Sequence, residues 1–259
     1  MTLLAVSGLN KRFGGVVAAR DVAFTLEAGD MLAIIGPNGA GKSTTFNMVG
    51  GQLKPDSGIV LLAGQPITGL APRAIWRLGV GRTFQIAQIF VSMSVAENVQ
   101  MALISWAGEG MSLGAPAEAR HRAEALNLLD LVGMRGEAAR PVWELAYGDV
   151  KRVELAVALA SQPKLLLMDE PTAGMAPTER AQLMALTARI ARSQGIGVLF
   201  TEHDMDAVFA HADRIIVLAR GEIIAEGRPD EVRANARVKQ VYLGDMGVEA
   251  AMRARRGRA

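Results

Sequence analysis

Two stretches near the start, LLAVSGL and VAFTLEAG, alternate apolar and polar positions between Gly and Asp breaks. That period predicts antiparallel strands within residues 2–30. MLAIIG (31–36) differs: it is a continuous apolar run that ends on a glycine loop, and the KSTTFNMVGG after it reads as a helix. GIVLLAG (58–64) predicts another strand and APRAIWRLG (71–79) a helix. From 95 to 160 the spacing turns helical, in VAENVQMALISW and AEARHRAEALNLLDLVG, with a Gly/Ser/Pro break at 108–116. After 160, strands LLLMDE (165–170) and GVLFTEH (197–203) alternate with helices at 177–195 and in DMDAVFAHA, and RIIVLAR-GEIIAEG (214–227) predicts a hairpin.

Strands alternating with helices predict an α/β fold with a mixed, mostly parallel core sheet covered on both faces. The expected layout is one domain, 1–259. Residues 1–86 and 160–235 form the core with an N-terminal antiparallel β-subdomain. Residues 87–159 form an inserted α-helical subdomain, and 236–259 a tail. No internal repeat is visible.

Composition adds a few bounds. The chain has 259 residues, 50% of them apolar and 21% charged, which is globular. A net charge of +2 gives no nucleic-acid or membrane signal. With no cysteine, disulfides, thiolate metal sites and a cysteine nucleophile are excluded. No apolar run reaches the roughly 20 residues a bilayer needs, and the start lacks a leader pattern, so a soluble cytosolic protein is expected. A mean hydropathy of +0.22 with 13 Met suits a large α/β core, and a buried partner surface would also account for it. Arg253, Arg255, Arg256 and Arg258 in the tail read as a solvated end, or as a contact for anionic lipid or a partner.

GPNGAGKS (36–43) matches G-x-x-x-x-G-K-S between a strand and a helix. Gly36, Gly39 and Gly41 let the backbone curl with its N–H groups inward. With Pro37, Asn38, Ala40 and Thr44, and with the positive end of the next helix, they form a phosphate cradle. Lys42 is placed to reach β- and γ-phosphates, and the Ser43 hydroxyl to bind Mg²⁺. Asp169, at the end of the apolar LLLMD, can help hold Mg²⁺ through water. Glu170 beside it can act as general base on the attacking water, or cap the following turn. His203 in TEHD can reach a γ-phosphate oxygen, because strand ends of such sheets converge on one crevice. Gln85, ending GRTFQ, offers a neutral amide to Mg²⁺ and water.

These ordered motifs, GPNGAGKS, RTFQ, LAYGD, LLLMDEP and TEHD, resemble the nucleotide-binding subunits of ABC transporters, which have a P-loop NTPase fold. The resemblance spans about residues 1–245. LGVGRTFQ, SVAENV, EPTAGMAP and AEGRPDEVRANARVKQVYLG look closer to the G-type ATPase of branched-chain amino acid importers. The resemblance implies ATP and Mg²⁺ as cofactors and an adenine stacked on Phe13. It implies a head-to-tail dimer with a second ABC ATPase, an F-type subunit in this group. Each ATP then lies between one phosphate loop and the partner's loop of Ala146, Tyr147, Gly148 and Asp149. Two permease subunits are implied, docked around residues 86–104, with a periplasmic binding protein acting indirectly. The implied location is peripheral, on the cytoplasmic face of the inner membrane. Alternatives are another small polar or aromatic-acid cargo, a non-transport ABC ATPase, or a module that binds ATP without hydrolysing it.

The sequence departs from the family at two places. The usual Leu-Ser-Gly-Gly-Gln loop is LAYGD, with Ala146 in place of the serine. Losing a hydroxyl bond to a charged phosphate forfeits about 1.5–3 kcal/mol. The expectation is that backbone N–H groups and a helix end still bind ATP, with Asp149 capping a helix that starts near it and Lys151 and Arg152 offsetting its charge. Ala173-Gly174-Met175-Ala176 replaces Ser-x-Leu-Asp, and Ala176 removes a side chain that normally links the two sites across the dimer.

Overall fold

Strand β1 (Thr2–Phe13) and strand β2 (Val16–Glu27) form a long antiparallel hairpin. The structure, a computed structural model, describes residues 2–109 and 120–241. β4 (Ser57–Leu62) pairs with the other side of β1 and carries the two-residue β5 (Gln65–Pro66), giving a four-stranded sheet ordered β2-β1-β4-β5.

The second sheet has six strands. β3 (Met31–Ile35), β6 (Val80–Thr83), β7 (Leu165–Asp169), β8 (Gly197–Thr201) and β9 (Arg214–Ala219) run parallel in the order β9-β3-β8-β7-β6. β10 (Glu222–Gly227) adds an antiparallel edge to β9. All five residues of β3 and of β8 are buried, as expected for strands covered on both faces. Alternation along β3 separates two cores. Met31, Ala33 and Ile35 face the helical core, while Leu32 and Ile34 face the core shared with the antiparallel sheet.

Helix α1 (Lys42–Val49) follows β3, and α2 (Pro72–Arg77) precedes β6. Three helices then pack together: α3 (Val95–Ala107), α4 (Arg122–Leu131) and α5 (Tyr147–Leu159). α3 opens on a reciprocal cap, in which Ser94 accepts from the Glu97 N–H and Glu97 accepts from the Ser94 N–H. After β7 come α6 (Pro177–Gln194), α7 (Met205–His211) and α8 (Pro229–Ala234). Among the described residues, no helix is long and apolar enough to cross a membrane.

One aromatic clamp joins α2 to α3. The rings of Trp76 and Trp106 meet edge to face with centroids 5.0 Å apart. The Arg77 guanidinium lies 4.8 Å and 5.3 Å from those two rings and donates to the carbonyls of Ser105 and Trp106.

The periodicity located most elements and missed three, among them the two-residue β5. β6 was not foreseen, because Val-Gly-Arg-Thr carries one apolar residue in four and its partner in the sheet comes some 85 residues later. α8 lies in a polar stretch and was also missed. α4 begins at Arg122, inside the expected helix, whose start at 117–119 lies outside the described residues. So does the arginine-rich end of the tail, 250–259.

Candidate functional site

The chain leaves β3 at Ile35 and turns through residues 36–41 into α1. Gly36 has φ +152° and Gly41 +102°. A Cβ would stand 2.2 Å from the Leu218 carbonyl oxygen at Gly36 and 2.2 Å from that of Ala18 at Gly41. Both positions therefore require glycine, for backbone and for space. Lys42 is 7% exposed, and its ammonium donates to the carbonyls of Gly36 (2.7 Å) and Pro37 (3.1 Å). Burial pushes its pKa down from the usual lysine range, while the carboxylates of Glu170 and Asp169 oppose that shift.

A cavity of about 360 Å³ opens over this loop, lined by Phe13, residues 38–44, Glu170 and His203. The residues singled out at four distant points of the chain thus meet on one surface. Phe13 is 49% exposed, so its ring is not part of either core.

At the end of β7, Asp169 accepts from the Thr201 hydroxyl on β8 at 2.7 Å. Glu170 adopts φ +45°, a left-handed conformation costly for a non-glycine residue. One of its carboxylate oxygens receives the Gln85 amide at 2.8 Å, and the other lies 2.7 Å from His203 Nε2. Glu170 is therefore held between two side chains already singled out as candidates. The Gln85 nitrogen is engaged by Glu170, which leaves its amide oxygen as the atom available to a cation. Ser43, Asp169 and that oxygen are hard oxygen donors with one carboxylate among them. Such a set suits Mg²⁺ carried mainly by phosphate oxygens and water.

Three supporting residues lie inside the quoted motifs RTFQ and TEHD but were given no role of their own. Thr201 holds Asp169 and also lies 3.1 Å from the Glu170 N–H. Glu202, 4% exposed, accepts from the N–H and hydroxyl of Thr172 in the turn after Glu170. Arg82 stacks between Phe46 (4.9 Å) and Phe84 (5.1 Å), donates to Asn47, and lies 3.7 Å from Asp169. A buried polar residue is found by packing, not by spacing, which is why none was foreseen.

Residues 146–149 do not line the phosphate cavity of their own chain. They form the first turn of α5, which starts at Tyr147 with Ala146 as its N-cap. This corrects the expected start near Asp149. Asp149 is not the cap: it occupies the third helical position, where an acid complements the helix dipole. The expected neighbours do not serve it either. Lys151 is 2% exposed and bonded elsewhere, and Arg152 donates to Gln182 at 3.2 Å. Gly148 is buried, with the Glu179 carboxyl group of its own chain 3.3 Å from where a Cβ would be. Ala176 is the N-cap of α6 and likewise has no side-chain acceptor, although Glu179 accepts from its N–H at 3.3 Å.

The alanine at the α5 cap leads to a simple expectation. Ala146→Ser supplies the missing acceptor and stabilises the fold by about 1 kcal/mol. The unfolding midpoint in urea should rise accordingly. An unchanged or lower midpoint would show that a serine cannot take the capping rotamer here.

Known proteins resemble this chain over most of its length. A family profile described as ABC transporter matches residues 19–173, and one described as Branched-chain amino acid ATP-binding cassette transporter matches 222–247. The high-affinity branched-chain amino acid transport ATP-binding protein LivG of Salmonella typhimurium is 40% identical over 250 residues, 94% of this chain and 98% of that protein. BraF of Pseudomonas aeruginosa, described in the same words, is 38% identical over the same shares. The lipopolysaccharide export system ATP-binding protein LptB of Acidithiobacillus ferridurans is 36% identical over 94% of this chain and 97% of its own. Among solved structures, the ADP conformation of an ATP-binding cassette of an ABC transporter superposes with a TM-score of 0.84 at 32% identity, covering 94% of this chain and 99% of that one. A dimeric cassette in a post-hydrolysis state with ADP and Pi gives 0.73 at 26% identity, covering 88% and 99%.

Proposed function

The chain belongs to the ABC transporter family and is an ATPase, and from that premise we propose that it is the motor subunit of a branched-chain amino acid importer. The observation that carries this reading is the match at 222–247, a segment outside the nucleotide site. LptB aligns just as fully at 36% identity, so overall similarity to the cassette does not carry the cargo.

In this reading Phe13 stacks on the adenine, and the N–H groups of 38–44 with the start of α1 hold the phosphates. Lys42 exchanges the carbonyls of Gly36 and Pro37 for β- and γ-phosphate oxygens. Ser43 and, through water, Asp169 would hold Mg²⁺, with Gln85 through its amide oxygen. When bound, Mg²⁺ neutralises charge that develops on the transferring phosphoryl group. Glu170 takes a proton from the attacking water, the Gln85 amide orients that water, and His203 donates toward the γ-phosphate. Ala146, Tyr147, Gly148 and Asp149 meet the ATP of a second ATPase subunit of the F type through backbone N–H groups and the α5 dipole.

The helical segment 87–159 is read as a subdomain that carries this loop and the permease contact. The expected docking range, 86–104, divides in two. Ile86, Phe90 and Val91 are 75%, 57% and 60% exposed, while Val95, Ala96 and Val99 of α3 are buried. Two permease subunits therefore dock on 86–94 and on the neighbouring Trp143, which is 68% exposed. The protein then sits peripherally at the cytoplasmic face of the membrane, and a periplasmic binding protein selects the cargo.

The test is reconstitution in proteoliposomes with the permeases and second ATPase that co-purify with the chain. ATP turnover should rise when leucine-loaded binding protein is added. No rise with leucine, isoleucine or valine would overturn the cargo. The absence of any co-purifying permease would overturn the motor reading.

A further inference from the structure

Two ionisable side chains are buried away from the phosphate cavity. Lys151 and Glu154 on α5 have side chains only 1% and 4% exposed, with Lys151 Nζ and Glu154 Oε2 3.0 Å apart. Removing two ions from water costs several kcal/mol each, and an apolar pair of similar size often does as well for stability. Stability alone therefore does not account for them, so their remaining hydrogen bonds matter.

All of those bonds go to one place. The Lys151 ammonium donates to the carbonyls of Phe84 (2.6 Å) and Gln85 (3.0 Å). Glu154 Oε1 accepts from the Phe84 N–H at 2.9 Å. β6 ends at Thr83, so these main-chain groups lie beyond its ladder. The three lysine donors are thus all used, two on the backbone and one on the carboxylate. Tyr147, one turn before Lys151, adds a weaker contact from its hydroxyl to the Gln85 carbonyl at 3.4 Å. Tyr147, Lys151 and Glu154 are spaced i, i+4 and i+7, which puts them on one face of the helix.

The same helix begins at the LAYGD loop, and the residue it grips sends its amide to Glu170 at 2.8 Å. We infer that Lys151 and Glu154 are positioning residues that clamp the Phe84–Gln85 backbone to α5. Engagement of loop 145–149 by the partner's nucleotide is thereby transmitted to Gln85 and Glu170 of this chain. The inference rests on the reading that Gln85 and Glu170 serve hydrolysis and that the loop meets ATP in trans. It supplies a route between the two sites that does not pass through position 176, where Ala176 offers no polar side chain. α5 is 13 residues long, so it spans about 20 Å at 1.5 Å per residue.

The experiment is a double-mutant cycle on the full-length chain, reading kcat, KM and the affinity of a fluorescent ATP analogue. Lys151→Met/Glu154→Gln removes both charges together and leaves neither ion unpaired in the interior. kcat should fall about tenfold, the size expected for residues in one hydrogen-bond network, with KM and analogue affinity within about twofold. Lys151→Arg, combined with native Glu154, should recover most of that loss relative to Lys151→Met. In a Gln85→Ala background the double substitution should lower kcat no further. If the two effects multiply, or if KM and affinity change in step with kcat, the clamp is overturned and Lys151 and Glu154 are only structural. If Gln85→Ala itself leaves turnover unchanged, the hydrolytic reading falls and the clamp with it. Should the double variant fail to fold, Lys151→Gln/Glu154→Gln carries the same cycle, because two neutral amides can bond each other in the interior while the ammonium that grips the Phe84 and Gln85 carbonyls is gone.

Discussion

Glu170→Gln should lower kcat for ATP by about 10²–10⁴-fold while leaving nucleotide affinity within a few-fold of the native chain. The loss corresponds to roughly 3–5 kcal/mol of transition-state stabilisation. The geometry makes this a test of chemistry and not of shape. An amide at 170 can still accept the Gln85 N–H that is now 2.8 Å away, and it can donate to a neutral His203, which now lies 2.7 Å from the carboxylate. Both holding contacts survive, and only the basic oxygen is lost. Lys42 and the loop 36–41 are untouched, so binding persists. Steady-state turnover measured beside titration with a fluorescent ATP analogue separates the two quantities. Turnover within tenfold of native would show that Glu170 is a turn residue and that the water is activated otherwise.

Gly41→Ala should destabilise the chain and abolish measurable nucleotide binding. Its φ of +102° is a conformation that L side chains rarely adopt, at a cost of about 1–3 kcal/mol. The added methyl would also stand 2.2 Å from the carbonyl oxygen of Ala18 on β2, a backbone atom that cannot swing aside. Relief needs β2 or the loop to move, and either motion disperses the inward N–H groups. Gly39→Ala is the control. Gly39 has φ +77° with nothing within 4 Å of its Cβ position, so it carries the strain without the clash. The thermal midpoint should fall more for Gly41→Ala than for Gly39→Ala. Equal falls would show that β2 yields easily and that backbone strain alone sets the requirement.

The parts of the site that a short stretch of chain encodes were legible in the sequence. Gly36 to Thr44 is one such stretch, because curl, donors and helix start are all set within nine residues. Asp169, Glu170 and His203 followed from apolar runs that end on polar residues, since parallel strands deliver their carboxyl ends to one crevice. What was lost depends on distant partners. Arg82 stands in RTFQ without a role of its own until Phe46 and Phe84 enclose it. Lys151 was expected to offset Asp149 and Glu154 was not singled out, yet both are among the most buried residues of α5 because residues 84–85 cover them. The cap of α5 was placed three residues late, at Asp149, because an aspartate is a good cap by type. The chain turned instead at Ala146, where no side chain announces it.

The aromatic clamp between α2 and α3 has an optical consequence. The chain contains three tryptophans. Trp76 and Trp106 form the edge-to-face pair at the junction, with the Arg77 cation against both rings. Trp143 is the third, standing in solvent two residues before Leu145. Indole emission responds to nearby charge and to water. Separation of α2 from α3 would change the emission of the first two together, whereas a partner covering Trp143 would shift its emission to shorter wavelength. The protein thus contains its own pair of fluorescent gauges, one for internal hinge motion and one for assembly, and single Trp→Phe replacements would let each be read without a dye.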